Sequence, residues 1–129
     1  MNEKIKKRES FRPFAPSIII EEVSNWFETY EQVPFMTHVF NIKKEKRKLI
    51  PSVTHIDGTG RLQTVTSDSN PFYYKIIKLF HKNTSIPLIL NTSFNENEPI
   101  VNSPKEALEC FMRTNMDVLV LENYIIFRK

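Results

Sequence analysis

The sequence predicts an α+β fold, a single domain over residues 1–129 in which helices flank one mixed, twisted sheet. Three observations support this prediction. Strand-like and helix-like runs follow one another in mixed order, not in a regular alternation. Each helix-like run carries its apolar residues on one face, so each helix should lie on the sheet. The length fits one domain, and 40% hydrophobic residues are too many for a disordered chain.

Six runs of apolar or β-branched residues predict strands. They cover residues 35–42, 50–55, 61–66, 88–91, 118–121 and 124–127. Only Glu122 and Asn123 separate the last two runs, which predicts a hairpin. Residues 11–16 alternate aromatic residues and prolines, and the prolines exclude an ordinary helix and favour an extended segment.

The first helix is predicted over residues 23–30, directly after two acidic residues that suit the positive end of a helix dipole. Its apolar residues recur at i, i+3, i+4 and i+7, which are Val23, Trp26, Phe27 and Tyr30. The second helix repeats this spacing at Tyr73, Ile76, Ile77 and Phe80. There Asn70 is the expected N-cap, Pro71 the first helical residue, and Asn83 the residue that closes the end.

The third helix begins with a capping box, Ser103-Pro104-Lys105-Glu106, in which proline occupies the first helical position. Its predicted apolar face is formed by Ala107, Leu108 and Phe111, with Cys110 and Met112 beside it. We therefore interpret Cys110 as a buried packing residue. A nucleophile would need a histidine or basic residue at a spacing that activates the thiol, and none is evident.

Composition excludes several classes of protein. A single cysteine excludes an intrachain disulfide and cysteine-rich zinc sites, and it suits a reducing cytoplasm. The charged N-terminus predicts no signal peptide, and no apolar run is long enough for a membrane span. A net charge of +3 permits an anionic ligand but does not indicate a nucleic-acid-binding protein. The basic run at residues 43–48 is interpreted as a solvated loop, with an anion-steering patch as the alternative.

Polar residues concentrate in three places. The N-terminal segment carries five cations against two acids, and they are Lys4, Lys6, Lys7, Arg8 and Arg12. Both glycines lie in residues 55–61. Residues 55–64 carry six hydrogen-bonding side chains in ten positions, among them His55, Asp57, Arg61 and Gln63. The third cluster follows a buried strand and contains Asn91, Ser93 and Asn95.

Each cluster also has an ordinary structural interpretation. The basic residues would form a solvated arm, residues 55–61 a hairpin loop, and residues 91–95 a turn before Pro99. Arginine and lysine suit phosphate or carboxylate, Arg61 and Gln63 would share one strand face, and Ser93 and Asn95 could each donate to a phosphate oxygen. Together the clusters predict one anion pocket. A metal pair at His55 and Asp57, or a Ser-His-Asp triad, is disfavoured because the histidines are isolated and no nucleophile-elbow motif is present.

These residues also carry a family resemblance. The chain resembles the C-terminal, YrdC-like domain of the O-carbamoyltransferases, which include nodulation and antibiotic-modifying enzymes. The matching blocks appear in family order at residues 5–9, 11–17, 54–65, 90–95 and 98–101. Lys6-x-Arg8 and Ser93-x-Asn95 resemble the Lys-x-Arg and Ser-x-Asn signature of YrdC-type nucleotide-binding domains.

The resemblance implies that the domain binds ATP, with Mg²⁺, and carbamoyl phosphate, and forms carbamoyl-adenylate. A separate Kae1-like domain or subunit would then pass the carbamoyl group to a hydroxyl acceptor. By the same match, Lys6, Arg8 and Arg12 would hold phosphates, and Arg61 would stabilise the charge on the transferring group. Lys6, Arg8 and Arg61 are thus the predicted catalytic residues.

The remaining predicted binding residues are His55, Asp57, Gln63, Asn91, Ser93 and Asn95. Ser93 and Asn95 would orient the α-phosphate or ribose, whereas His55 and Asp57 would serve orientation only. No metal ligand set is predicted within the chain.

Two alternatives stay open at this point. The chain could be a nucleotide-binding module that has no activity by itself, since family members carry a long region before the Lys-x-Arg block and this sequence starts at that block. It could also bind duplex RNA, which the modest charge and the lack of an aromatic stacking motif disfavour.

Overall fold

The computed structural model describes residues 2–6, 9 and 12–129, with the backbone alone at positions 2 and 4. Within this part of the chain are six strands and three α-helices. In chain order they are β1 (Ala15–Ile19), α1 (Val23–Trp26), β2 (His38–Asn41), β3 (Thr59–Val65), α2 (Pro71–Thr84), β4 (Leu88–Asn91), α3 (Pro104–Arg113), β5 (Val118–Leu121) and β6 (Tyr124–Phe127). They belong to two compact units, residues 13–92 and residues 1–12 with 93–129.

The unit of residues 13–92 is built on a four-stranded sheet with the order β2-β3-β1-β4. β1 runs parallel to β3 and antiparallel to β4, while β2 is antiparallel to β3. The sheet is therefore mixed, and with its helices it confirms the predicted α+β class. The assignment of residues 1–129 to one domain stays a prediction.

The two faces of this sheet carry separate apolar clusters. The larger cluster packs α1 and the long connections against the sheet, and its fully buried members include Ile18, Phe27 and Leu62. The smaller one packs α2 through Ile77 against Ile19 and Val65. Residues 18 and 19 point to opposite faces of β1, which is why one strand serves both clusters.

β1 lies in the centre of the sheet, although the sequence predicted only an extended segment over residues 11–16 and no strand at residues 17–19. Its five residues are all buried. Pro16 is unusual in such a strand because proline has no N–H for the ladder. The pairing with β3 begins only at Ser17, so Pro16 lies outside that ladder.

One predicted strand and one predicted helix end are wrong, and two predicted elements are shorter than expected. Residues 50–55 form no strand, because Pro51 opens a 3₁₀ turn, Pro51–Val53, and the Ile50 carbonyl accepts from the backbone N–H of Val53. Asn83 does not end α2, since the left-handed residue is Ser85, with φ of 62°. The first helix stops at Trp26, and β2 begins only at His38.

The first helix ends early because of a tertiary contact. Phe27 has extended backbone angles and forms an antiparallel bridge with Ile42, and its side chain is fully buried. The Glu28 N–H then donates to the Asn41 carbonyl. The helix therefore lacks the last turn, which would have contained Tyr30, and Tyr30 is 88% exposed.

The other unit contains α3 and the β5–β6 hairpin, as the sequence predicts. Ser103 caps α3 by accepting from the Glu106 N–H, and the Glu106 carboxylate accepts from Asn102 N. Ala107, Cys110 and Phe111 are buried, which confirms Cys110 as a packing residue. Leu108 belongs to the predicted face but is exposed.

Candidate functional site

Lys6 is the centre of the polar cluster in the unit formed by residues 1–12 and 93–129. It ends a short helical turn, Asn2–Lys6, and only 3% of the residue is exposed. Its Nζ donates to the Asn95 carbonyl at 2.8 Å, to Asn95 Oδ1 at 3.0 Å and to Ser93 Oγ at 3.4 Å. It also donates to the Ser93 carbonyl. The structure thus brings together Lys6, Ser93 and Asn95, which lie almost ninety positions apart in the sequence.

The polar side chains of this cluster also bind one another. Ser93 Oγ donates to Asn95 Oδ1 at 2.7 Å, and Asn95 Nδ2 donates to the Glu98 carbonyl at 2.6 Å. A buried ammonium is stable only when oxygen atoms replace its lost water, and the loop supplies them. Binding a phosphate through these donors would therefore exchange internal hydrogen bonds for external ones.

Glu98 anchors the same loop to α3. Its Oε2 accepts from the backbone N–H groups of Glu96 and Asn97, and its Oε1 accepts from the Arg113 guanidinium at 2.7 Å. Hydrogen bonds from backbone N–H groups, its own first and then those of Asn97 and Glu96, lower the pKa of Glu98 to about 2, against a smaller opposing effect of burial. No role was predicted for Glu98, although it lies three residues after Asn95 and begins one of the blocks that resemble the family.

Cys110 lies beneath this anchor. Burial, and then a hydrogen bond to the Glu98 carboxylate, raise the pKa of the Cys110 thiol. A raised pKa keeps the sulfur protonated and unreactive at neutral pH. Burial and a raised pKa are typical of a thiol that packs in a core.

An open groove of about 610 Å³ borders the anchor. It is lined by residues 98–102 together with Glu106, Glu109 and Arg113. Its lining carries three carboxylates against one guanidinium, and that guanidinium already pairs with Glu98 and Glu96. The balance of charge disfavours phosphate in this groove.

Gln63 and Asn91 lie in the other unit, where they join three adjacent strands. Ser17 Oγ donates to Gln63 Oε1 at 2.5 Å, and Asn91 Nδ2 donates to Gln63 Oε1 at 2.8 Å and to Ser17 Oγ at 3.1 Å. Gln63 Nε2 donates to the Pro34 carbonyl. Both amide ends of Gln63 are thus used inside the unit, and its geometry is that of a cross-strand clamp.

His55 and Asp57 form a hydrogen-bonded turn before β3. Asp57 Oδ1 accepts from the N–H of Thr59 at 3.0 Å and from its hydroxyl at 2.7 Å, and these bonds lower the pKa of Asp57. Because the Thr59 hydroxyl proton points to Asp57, Thr59 Oγ1 accepts from His55 Nδ1 at 2.9 Å. This fixes Nδ1 as a donor. His55 Nε2 is buried and has no partner among the described residues.

Arg61 is exposed on β3, opposite Val39 of β2. It shares a strand face with Gln63, as the sequence predicts. Among the described residues, no hydrogen bond or ion pair engages its guanidinium, so its five N–H donors can bind a ligand.

The two other predicted phosphate-binding cations are Arg12 and Arg8. Arg12 is exposed and lies 4.0 Å from the Glu9 carboxylate. Arg8 lies outside the described residues. The predicted residues thus fall into two groups, Lys6, Arg12, Ser93 and Asn95 in one unit, and His55, Asp57, Arg61, Gln63 and Asn91 in the other. That both groups line one pocket stays a prediction.

Comparison with known proteins decides the family. The family model described as carbamoyltransferase C-terminus matches residues 1–128. The chain belongs to this carbamoyltransferase C-terminal family.

Curated relatives of the carbamoyltransferase C-terminal family match the chain along most of its length. It is 44% identical over 133 residues to nodulation protein NolNO of Sinorhizobium fredii and to nodulation protein NolO of Bradyrhizobium diazoefficiens, with the whole chain covered. It is 30% identical over 118 residues, 90% of the chain, to a 3'-hydroxymethylcephem-O-carbamoyltransferase of Streptomyces clavuligerus. The matches cover 20%, 24% and 22% of these relatives, so the chain spans about a fifth to a quarter of their length.

Across residues 2–6, 9 and 12–129, no helix has the length and apolarity needed to cross a membrane. Within the same residues, no three His, Cys, Asp or Glu side chains are grouped to hold a metal ion.

Proposed function

We propose that this chain is the part of an O-carbamoyltransferase that binds ATP and carbamoyl phosphate and forms carbamoyl-adenylate. The observation that carries the proposal is the family match over residues 1–128, together with relatives of which one is named an O-carbamoyltransferase. The placement of Lys6 against Ser93 and Asn95 supports it, because these are the residues that the Lys-x-Arg and Ser-x-Asn resemblance pairs.

The chemistry places several negative charges close together. Water would first cleave carbamoyl phosphate to carbamate and inorganic phosphate. A carbamate oxygen would then attack the α-phosphorus of ATP, so that a new P–O bond forms, the bond from this phosphorus to the β-phosphate side breaks, and pyrophosphate leaves. Cations and N–H donors that are fixed before the reaction stabilise this charge without reorganising. Arg61, whose guanidinium is engaged by no described residue, is the residue best suited to meet the charge on the transferring group.

The other residues would position the substrates. Lys6 would hold the Ser93–Asn95 loop in one geometry and add its positive charge to the site, while Arg8 and Arg12 would hold phosphates. Mg²⁺ would arrive with the ATP phosphates, since it is normally bound by them and one or two carboxylates. Transfer of the carbamoyl group to an acceptor hydroxyl would occur on a separate Kae1-like domain or subunit.

The test is carbamoyl-phosphate-dependent exchange of labelled pyrophosphate into ATP. Arg61→Ala should lower the exchange rate by about 100-fold, because removing one preorganised donor costs about 3 kcal/mol in the transition state. Arg61→Lys should recover only part of it, since lysine lacks the planar fork. Lys75→Ala, a substitution of an exposed cation on α2, is the matched control and should leave exchange unchanged. Undiminished exchange in a folded Arg61→Ala protein would reject the role of Arg61.

A second candidate function is a binding module that needs the rest of the enzyme for catalysis. It is favoured by the share of the relatives that the chain spans, and by the internal hydrogen bonds that engage Ser93 and Asn95. Titration calorimetry separates the two candidates. Heat of ATP binding with no pyrophosphate exchange supports the module, whereas exchange supports the enzyme.

A further inference from the structure

The β5–β6 hairpin has an apolar outer face that the described residues of its own unit leave exposed. In its register Val118 pairs with Phe127, and Val120 pairs with Ile125. These four side chains point to one side of the ribbon, because residues two apart in a strand share a face. Their exposed fractions are 44%, 68%, 59% and 60%.

The opposite face of the hairpin is the one packed within its unit. Leu119 is buried, and its partner Ile126 is half-buried. An antiparallel ribbon with one covered face normally alternates apolar and polar residues. The strands here are VLVL and YIIF, in which Tyr124 alone carries a polar group. Apolar residues on both faces of the β5–β6 ribbon are typical of a ribbon that is buried on both sides.

The hairpin is held in place at its C-terminal end. Arg128 donates to the carbonyls of Met116, Thr114 and Phe111, and its guanidinium lies 4.8 Å from the centre of the Phe111 ring. Charged residues border the apolar face at both ends, Asp117 and Lys129 at one and Glu122 at the turn. An apolar centre with a polar rim is the usual anatomy of a protein–protein contact.

Among the described residues, β5 and β6 pair only with each other, so both of their outer edges are open. Two-stranded ribbons are marginal in water and gain stability by packing or by pairing with further strands. The relatives suggest an occupant for this face, since the chain spans only 20–24% of the length of NolNO and NolO.

We propose that the outer face of the β5–β6 hairpin docks against the remaining region of the longer carbamoyltransferase, through an apolar surface of that region. The inference goes beyond the proposed reaction and does not depend on carbamoyl-adenylate chemistry. Burial of this face would fix the position of the C-terminal family domain relative to the rest of the enzyme.

The experiment measures how fast a thiol reagent modifies a cysteine on this face. Val120→Cys is introduced into the 129-residue chain and into a chimera in which residues 1–129 replace the matched part of Bradyrhizobium diazoefficiens NolO. Cys110 is fully buried and gives little background. The proposal expects modification of Cys at position 120 to be at least about tenfold slower in the chimera, because covered sites react only when the contact opens.

The matched control is Lys105→Cys, at an exposed position on α3 in the same unit. It should react at the same rate in both proteins. Equal rates for Val120→Cys in the two proteins would overturn the proposal. A dimer of the 129-residue chain, seen by sedimentation and broken by Phe127→Glu, would assign the face to a second copy and also overturn it.

A second measurement does not need the chimera. Ile125→Lys should leave the urea midpoint of the 129-residue chain unchanged, because the face is exposed in that chain. A lowered midpoint would show that the chain covers this face itself, and the proposed partner would be wrong.

Discussion

The Glu98 carboxylate accepts hydrogen bonds from two backbone N–H groups and from the Arg113 guanidinium. Through the Glu98 carbonyl, the same residue also receives the amide of Asn95. Because Asn95 Oδ1 accepts from Lys6, the carboxylate and the backbone carbonyl of Glu98 together organise the loop that carries the predicted Ser-x-Asn pair. Glu98 is thus a positioning residue for the candidate site.

Stability at low pH tests this anchor. The pKa of Glu98 in the folded protein, about 2, lies below the ordinary value of 4.5, so the folded state favours the charged form. Its contribution is complete above about pH 4.5 and is lost as the pH falls toward about 2. Urea unfolding between pH 5 and pH 2, roughly, should show a steeper loss of stability for the natural protein than for Glu98→Gln.

The control for this measurement is Glu109→Gln, since Glu109 lies on α3 and only faces the exposed Lys105 ammonium at 4.0 Å. That variant should keep the pH dependence of the natural protein. Identical pH profiles for Glu98→Gln and the natural protein would show that the hydrogen bonds of Glu98 contribute nothing to stability.

Arg61 and Gln63 illustrate how neighbouring residues on one strand face differ in use. The side-chain oxygen of Gln63 accepts from Ser17 and Asn91, and its side-chain nitrogen donates to a backbone carbonyl. The guanidinium N–H groups of Arg61 donate to none of the described residues. Gln63 is therefore a structural clamp, and Arg61 is the residue that can bind a ligand.

At the scale of elements, the turn before β3 depends on Gly58. Its φ of +85° lies in the left-handed region, and a Cβ there would meet the guanidinium of Arg47. Arg47 Nε in turn donates to the Ile42 carbonyl at 2.9 Å, and the Ile42 N–H donates to the Gly58 carbonyl. The glycine thus permits both the turn and the close approach of the arginine.

Gly58→Ala should lower the free energy of unfolding by about 1–2 kcal/mol, from backbone strain and displacement of Arg47. The comparison is made by urea denaturation. In an Arg47→Ala background, the same substitution should cost less, because only the strain remains. An equal cost in both backgrounds would show that contact with Arg47 plays no part.

The elements that tertiary contacts changed have identifiable causes. Residues 23–30 have helical spacing, yet Phe27 leaves the helix to bridge Ile42 and fill the core. Residues 50–55 have a strand-like composition, yet Pro51 opens a 3₁₀ turn. In the first segment a tertiary contact of Phe27 outweighs the local helical pattern. In the second, Pro51 has no N–H to donate to a strand ladder.

At the scale of the whole molecule, the candidate site was only partly predictable. The residue types and their clusters were visible in the sequence because motifs keep Lys6, Ser93 and Asn95 at fixed local spacings. The sequence did not reveal that the donors of Ser93 and Asn95 are engaged inside the protein, or that Gln63 and Asn91 clamp the sheet. These facts depend on which strands become neighbours, and strand neighbours are set by long-range pairing.

The net charge of the chain is +3, and its residues fall into two compact units. The mild excess of cations is adequate for anionic substrates but far from a nucleic-acid-binding surface. The exposed apolar face of the hairpin is the feature that the reaction does not explain, and docking to the rest of the enzyme would account for it.

Local periodicity, capping chemistry and short motifs were enough to predict the α+β class, the caps at Asn70 and Ser103, the β5–β6 hairpin and the family. The sequence did not predict that β1 is a central strand, that Lys6 is buried among loop oxygens or that Glu98 anchors that loop. Those features arise between residues distant along the chain, where burial and hydrogen-bond satisfaction outweigh local preference.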